Sequence, residues 1–64
     1  MAAYKILVDA MGGDYAPKAP VEGALIALER HSDLSIVMAG WEPEIRKALE
    51  GKSYDAGRLQ ILHK

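Results

Sequence analysis

Apolar residues cluster in three short runs along the chain, and each run is bounded by residues that favour turns. The runs cover about residues 4–9, 34–39 and 59–62. They show no helical spacing and are shorter than a typical helix, and the second is rich in β-branched residues. Each run therefore predicts a buried β-strand.

Two segments between these runs have the pattern of amphipathic helices. In the segment at about residues 18–31, apolar residues recur at i, i+3, i+4 and i+7: Val21, Ala24, Leu25 and Leu28. The segment at about residues 42–50 has Pro43 near its start and Gly51 beyond its end, both common helix boundaries. The chain thus predicts strand, helix, strand, helix, strand.

This alternation is typical of an α/β fold with a parallel sheet. We expect a βαβαβ half-sheet of the three-layer type, with helices on its faces. A chain of 64 residues buries only about 60% of its unfolded surface, and three strands leave both sheet edges unpaired. We therefore interpret residues 1–64 as the N-terminal fragment of a larger doubly wound α/β domain.

Composition excludes several classes of protein. Half of the residues are hydrophobic, which argues against disorder, and 8 basic residues nearly balance 9 acidic ones, so no nucleic-acid surface is expected. No apolar run approaches the roughly 20 residues that span a bilayer. The start, residues 1–5, is unlike a signal peptide and predicts a cytoplasmic location. Without cysteine, and with two histidines outside any ligand pattern, the chain predicts no disulfide and no structural metal.

The loop of residues 10–20 is the strongest candidate site, because it leaves the carboxyl end of the first strand, where parallel sheets bind ligands. Gly12 and Gly13 allow positive φ and close approach of the backbone to a ligand. The following helix would add free N–H groups, and Lys18 is the nearby cation. These features predict an anion site for a group such as phosphate.

Other interpretations of this loop stay open. It matches neither the dinucleotide-binding motif nor the P-loop, so the glycines could simply form a tight turn. Asp9 and Asp14 would repel an anion, so we expect Asp9 to accept backbone N–H groups, and Asp14 to cap the helix or orient a polar group, although both remain catalytic candidates. A phosphoaspartate nucleophile is excluded, because Met11 stands where those enzymes have a second aspartate.

Two further residues lie at the carboxyl ends of predicted strands. His63 follows the third strand and is a candidate acid or base, although a single histidine more often has a structural role. Trp41 follows the second strand and is interpreted as a packing or partner-contact residue. Neither belongs to a recognisable catalytic motif.

The string Asp9-Ala-Met-Gly-Gly-Asp-Tyr-Ala-Pro17, followed by Val21-Glu-Gly-Ala24, resembles the opening of the PlsX family of phosphate acyltransferases. The resemblance extends through Gly40 to Ile61-Leu-His63 and thus covers essentially the whole chain, but only the first part of the family's length. The chain departs from the family pattern at Trp41 and Lys64, which lie in the second and third βα loops.

The resemblance implies a fold similar to those of the phosphotransacetylases and isopropylmalate dehydrogenases, usually as a homodimer. It implies transfer of a fatty acyl group from acyl carrier protein to inorganic phosphate, without a cofactor, in phospholipid synthesis. It also implies a membrane-associated glycerol-3-phosphate acyltransferase as a further partner, and a cytoplasmic location that is peripheral at the membrane. Gly12, Gly13 and Lys18 would then contact phosphate.

Two alternatives to the acyltransferase are carried forward. The chain could be a small phosphate- or nucleotide-binding α/β module without turnover, in which the glycine loop only holds the ligand. It could also be an inactive structural piece of a larger protein. Whatever the function of the whole protein, we expect the isolated chain of 64 residues to have no enzymatic activity.

Overall fold

The computed structural model describes residues 4–64, so the first three residues of the predicted cytoplasmic start lie outside the described part. The elements follow in the order β1 (Tyr4–Asp9), α1 (Lys18–Arg30), β2 (Leu34–Gly40), α2 (Glu42–Leu49), a 3-10 turn (Ala56–Arg58) and β3 (Leu59–His63). Each helix and strand ends within one residue of its predicted bounds. Gly40 and His63, expected just beyond strands, are their last residues.

The three strands form one parallel sheet in the order β1-β2-β3. Ile6 of β1 is level with Ile36 of β2, and Met38 of β2 is level with Ile61 of β3. The central strand is therefore β2, and its apolar sequence is explained by neighbours on both edges. The predicted βαβαβ architecture is confirmed.

Both helices pack on the same face of this sheet and contact each other. They bury alternate residues of β2, because successive side chains of a strand point to opposite faces. The core consists of Ala10, Val21, Ala24, Leu28, Leu34, Ile36, Met38, Ile45 and Leu49. Neither these helices nor any other helix within residues 4–64 is long and apolar enough to cross a membrane. The described residues thus supply two of the three expected layers.

The second face of the sheet is open. Leu7 of β1, level with Val37, is 67% exposed, and Leu62 of β3, level with Ala39, is 53% exposed. These apolar side chains alternate with the ones that face the helices. The open face therefore has exposed apolar side chains, alongside polar ones such as Lys5, without a cover from residues 4–64.

Arg58 joins three elements through its guanidinium group. It donates hydrogen bonds of 2.9 Å to the carbonyl oxygens of Leu28, His31 and Leu34, and its Nε lies 3.2 Å from Oδ2 of Asp55. The last carbonyls of a helix lack intrahelical partners, so this side chain satisfies the end of α1. Because Arg58 immediately precedes β3, it also ties that strand to the α1–β2 connection.

Candidate functional site

The loop after β1 starts from a hydrogen-bonded turn at Asp9. Oδ1 of Asp9 accepts the N–H of Met11 at 3.0 Å, and the carbonyl oxygen of Asp9 accepts the N–H of Gly12 at 3.4 Å. An aspartate that bonds the backbone two residues further on is a common turn former. Asp9 thus has the organising contact expected for it.

The two glycines of the loop differ in what the backbone requires of them. Gly13 has a φ of +93°, a conformation that L side chains rarely adopt, whereas Gly12 does not have a φ in that range. The N–H of Gly12 is already directed at Asp9, while that of Gly13 has no acceptor among residues 4–64. Only Gly13 of the pair therefore offers an uncommitted donor to a ligand.

The first turn of α1 offers fewer donors than the sequence suggests. The N–H of Ala19 bonds the carbonyl of Tyr15 and that of Val21 bonds the carbonyl of Pro17, both at 3.0 Å, and Pro20 has no N–H. The N–H of Lys18 is the only one of this turn that has no acceptor among the described residues. The expectation of several free N–H groups is wrong, because Pro20 has no N–H and the carbonyl groups of the preceding turn accept the other two.

Asp14 does not cap α1 as expected. The N-cap residue is Pro17, and no side chain accepts a hydrogen bond from the first turn of the helix. Asp14 is exposed, three residues before that N-cap. It therefore remains a candidate without an observed contact, on the same exposed loop as Gly13.

Lys18 is the first residue of α1, and its side chain is exposed. It forms no ion pair with any acidic side chain within residues 4–64. A positive charge at this end of a helix is unfavourable by about 0.3–1 kcal/mol, because the helix dipole is positive there. Within residues 4–64, the loop and helix entry thus hold the free amides of Gly13 and Lys18 and the unpaired ammonium group of Lys18.

Met11 connects this loop to the end of β2. A β-carbon built on Gly40 would lie 2.8 Å from Cγ of Met11 and 3.2 Å from Cδ1 of Ile45. A side chain at position 40 would therefore require the Met11 side chain to shift. The sequence pattern indicates only that Gly40 follows the second apolar run. Its packing role has no local sequence signal, because Met11 lies 29 positions away.

His63 makes a structural contact at the carboxyl end of β3. Its Nδ1 accepts the N–H of Glu42, the first residue of α2, at 3.0 Å. The adjacent N–H of Lys64 donates to the carbonyl oxygen of Gly40 at 2.9 Å. His63 therefore connects β3 to the helix that follows β2, a role that is invisible in local sequence.

The structure does not bring His63 together with the glycine loop. β1 and β3 flank β2 on opposite sides, and neighbouring strands are about 4.8 Å apart, so the two strand ends are separated by about 10 Å. Trp41 lies on the His63 side, with its side chain 54% exposed and its carbonyl oxygen accepting the N–H groups of Glu44 and Ile45. The candidate residues thus fall into two groups, with Asp9, Gly12, Gly13, Asp14 and Lys18 in one and His63 in the other.

Within residues 4–64 there is no cluster of three or more histidine, cysteine or acidic residues that could hold a metal ion. At the carboxyl end of β1, the described residues offer hydrogen-bond donors and a positive charge. Gly13 supplies a neutral donor and Lys18 a cationic one, and both suit an anionic ligand.

Comparison with known proteins identifies relatives along almost the whole chain. The family model described as fatty acid synthesis protein matches residues 4–64. The chain is 52% identical over 58 residues to a phosphate acyltransferase of Clostridium tetani, and 48% over 59 residues to one of Dictyoglomus turgidum. It is 51% identical over 59 residues to a phosphate acyltransferase of Bacillus thuringiensis. These alignments cover 91% or 92% of this chain but 17% of each relative, so the chain spans about a sixth of their length.

Proposed function

This chain belongs to the fatty acid synthesis protein family, and from that membership we propose that the protein containing it is an acyltransferase that forms acyl phosphate. Its relatives carry the name phosphate acyltransferase. The more specific proposal is that fatty acyl-[acyl-carrier-protein] donates the acyl group and inorganic phosphate accepts it, for phospholipid synthesis. This chain would then supply part of the phosphate site.

The observation that supports a phosphate site in this chain is the set of uncommitted donors at the carboxyl end of β1. The N–H of Gly13 has no acceptor within residues 4–64, and the ammonium group of Lys18 has no carboxylate partner there. An anion beside Lys18 would offset the unfavourable position of this charge at the positive end of α1. Phosphate has both the charge and the acceptor oxygens for these two donors.

In the proposed reaction, a phosphate oxygen attacks the carbonyl carbon of the thioester. The new C–O bond forms, the C–S bond breaks, and the thiolate of the carrier takes up a proton. Gly13 and Lys18 would hold the phosphate in position for attack, which lowers the entropic part of the barrier. Oδ1 of Asp9 accepts the N–H of Met11, so this carboxylate would hold the loop in place beside the phosphate.

A matched pair of glycine variants tests the role of the loop. Gly13 and Gly51 both have positive φ, +93° and +74°, and a β-carbon at either would meet no atom within 4 Å. Alanine should therefore strain both sites similarly, by about 1–2 kcal/mol. We expect Gly13→Ala to lower acyl phosphate formation about tenfold or more beyond Gly51→Ala, since about 1.4 kcal/mol of lost stabilisation corresponds to tenfold. The product is measured by trapping with hydroxylamine, and equal rates for the two variants would remove the loop from the mechanism.

A lysine pair tests the charge. Lys18→Met should raise the KM for phosphate, while Lys47→Met, which removes an exposed charge in the last turn of α2, should not. If both variants keep the KM of the unaltered enzyme, Lys18 has no part in phosphate binding.

The binding module without turnover would use the same two donors. Calorimetric titration of phosphate and of ATP, without an acyl donor, separates the two proposals. Saturable ATP binding and no acyl phosphate synthesis would favour the module. For the isolated 64-residue chain we propose no activity, because it spans about a sixth of its relatives; acyl phosphate synthesis by this chain alone would contradict that.

The remaining parts of the proposal rest on the family resemblance. They are a homodimeric protein, acyl carrier protein and inorganic phosphate as partners, and delivery of acyl phosphate to a membrane-associated glycerol-3-phosphate acyltransferase. The proposed location is cytoplasmic and peripheral at the membrane. Sedimentation of the intact protein with and without lipid vesicles tests the dimer and the membrane association separately.

A further inference from the structure

Met11 is the one exposed sulfur-containing residue among residues 4–64. The chain has no cysteine, and Met38, the other methionine in the described part, is fully buried in β2. Met11 is 42% exposed and belongs to the loop that follows β1. The oxidation of a methionine by peroxides depends on how far solvent reaches its thioether. Within this part of the chain, oxidants therefore meet Met11 first.

The side chain of Met11 also holds the loop against the end of β2. A β-carbon built on Gly40 would lie 2.8 Å from Cγ and 3.1 Å from Sδ of Met11, and 3.2 Å from Cδ1 of Ile45. Because Gly40 has no β-carbon, the thioether can lie against its backbone, next to the fully buried Ile45. The sulfur of Met11 thus belongs to a packed contact in a residue that solvent still reaches.

The backbone of Met11 is fixed at the same time. Its N–H donates to Oδ1 of Asp9 at 3.0 Å, and the N–H of Gly12 donates to the carbonyl oxygen of Asp9 at 3.4 Å. Gly13, whose N–H has no acceptor among residues 4–64, comes directly after Gly12. A displacement of the Met11 side chain would therefore move the amide that is proposed to bind phosphate.

We propose that Met11 is a modification site, and that its oxidation by hydroperoxides weakens the anion site. Hydrogen peroxide transfers one oxygen atom to Sδ: the S–O bond forms, the O–O bond breaks, and water leaves. The sulfur is oxidised to the sulfoxide and the peroxide is reduced. A sulfoxide is polar and larger than the thioether by this oxygen, so it no longer fits the space at Gly40. The loop then moves, and Gly13 moves with it.

The site of oxidation does not depend on acyl transfer, and peptide mass spectrometry of the intact protein after brief treatment with hydrogen peroxide tests it. Met11 should be oxidised about tenfold or more faster than Met38, because the sulfur of Met38 becomes accessible only when the core opens. Met38 is thus an internal control. Equal rates for the two residues, or a Met11 that resists the oxidant in the folded protein, would overturn the proposal.

The effect on the anion site rests on the proposed function and is measured by calorimetric titration of inorganic phosphate. Peroxide should raise the Kd for phosphate about fivefold or more, and methionine sulfoxide reductases, one for each epimer of the sulfoxide, should restore it. Met11→Leu has no sulfur to oxidise, so its own Kd should be the same before and after peroxide. An equal loss in both proteins would place the damage elsewhere and contradict the proposal.

The same titration separates this proposal from the proposed function. If the untreated protein binds no phosphate, the phosphate site itself is wrong, and the effect of oxidation on it is wrong as well. If the untreated protein binds phosphate and oxidation confined to Met11 leaves the Kd unchanged, only the present proposal fails.

Met11→Gln gives a readout without peroxide. Glutamine has about the length of methionine and carries a polar amide near the position of the sulfoxide oxygen. It should weaken phosphate binding more than Met11→Leu does. Ile26→Gln is the matched control, because it adds the same amide at a position of α1 that is 54% exposed. If Met11→Gln binds phosphate as tightly as Met11→Leu, a polar group at this contact does not displace the loop, and the proposal is wrong.

Discussion

The imidazole Nδ1 of His63 accepts the N–H of Glu42 at 3.0 Å, which joins the last residue of β3 to the first residue of α2. The first N–H groups of a helix lack intrahelical partners. No other side chain caps α2 within the described residues, because its N-cap residue is Trp41. Since Nδ1 is the acceptor, the neutral ring carries its proton on Nε2.

His63→Ala should therefore lower the free energy of unfolding by about 1 kcal/mol, the usual cost of losing a helix cap. His31→Ala is the control, because the hydrogen bonds at His31 involve its backbone groups and not its ring. Urea unfolding measures both variants, and nitrogen NMR of the unaltered protein should show the Nε2–H tautomer. Equal stability of the two variants, or a proton on Nδ1, would contradict the contact.

Arg58→Met should lower the free energy of unfolding by about 2–4 kcal/mol. It removes hydrogen bonds from a charged donor to three carbonyl groups, of Leu28, His31 and Leu34. Arg46→Met is the matched control, since Arg46 is 65% exposed and pairs with Glu42 within one helix, an interaction of about 0.3–0.5 kcal/mol. Chemical unfolding measures the free energy of unfolding of both variants. Equal losses in the two variants would argue against the role of Arg58.

Gly40→Ala should destabilise the protein by about 1–3 kcal/mol, because the new methyl group would lie 2.8 Å from Cγ of Met11. Part of this cost should disappear in the Met11→Ala background, which a double-mutant cycle measures as a coupling energy. Gly23→Ala is the control: it adds a methyl group in open space within α1 and should stabilise by about 0.5–1 kcal/mol. Additive effects of Gly40→Ala and Met11→Ala would mean that the two residues do not contact.

Two substitutions at Asp9 distinguish an organiser from a catalytic group. Asp9→Asn keeps an oxygen that can accept the N–H of Met11, whereas Asp9→Ala loses about 0.5–1.5 kcal/mol of stability with that bond. Asp14→Ala, at a residue without a side-chain hydrogen bond to the rest of residues 4–64, should leave stability unchanged. If Asp9→Asn abolishes acyl phosphate formation while stability is retained, the carboxylate has a direct chemical role.

Much of the architecture was predictable because the signals are local. The period of apolar residues distinguished strands from helices, and the boundary residues placed the ends of α2 within one position. Strand–helix alternation predicted the parallel sheet, since a crossover helix returns the chain to the same end. The loop after β1 could be selected as a candidate site because of its place at a strand's carboxyl end and its two glycines.

Other expectations failed because hydrogen bonds depend on neighbours that a local pattern does not specify. The sequence suggested that Gly12 and Gly13 would act alike and that α1 would begin with free N–H groups. In the structure the carbonyl oxygen of Asp9 accepts the N–H of Gly12. In the first turn of α1, Pro20 has no N–H and two further N–H groups donate to carbonyl groups of the preceding turn. No side chain within the described residues, Asp14 included, accepts a hydrogen bond from the first turn of α1, whose N-cap residue is Pro17.

By itself, the sequence determined the order and type of the elements, the parallel sheet and the Asp9–Pro17 string that identifies the family. All of these follow from the types and spacing of residues that are close together in the sequence. Only the tertiary structure decided that Gly13 and Lys18 keep donors without a partner in residues 4–64, and that His63 accepts a hydrogen bond from the first residue of α2. Those properties arise between residues distant in sequence, and they exist only once packing of the strands and helices has fixed which groups meet.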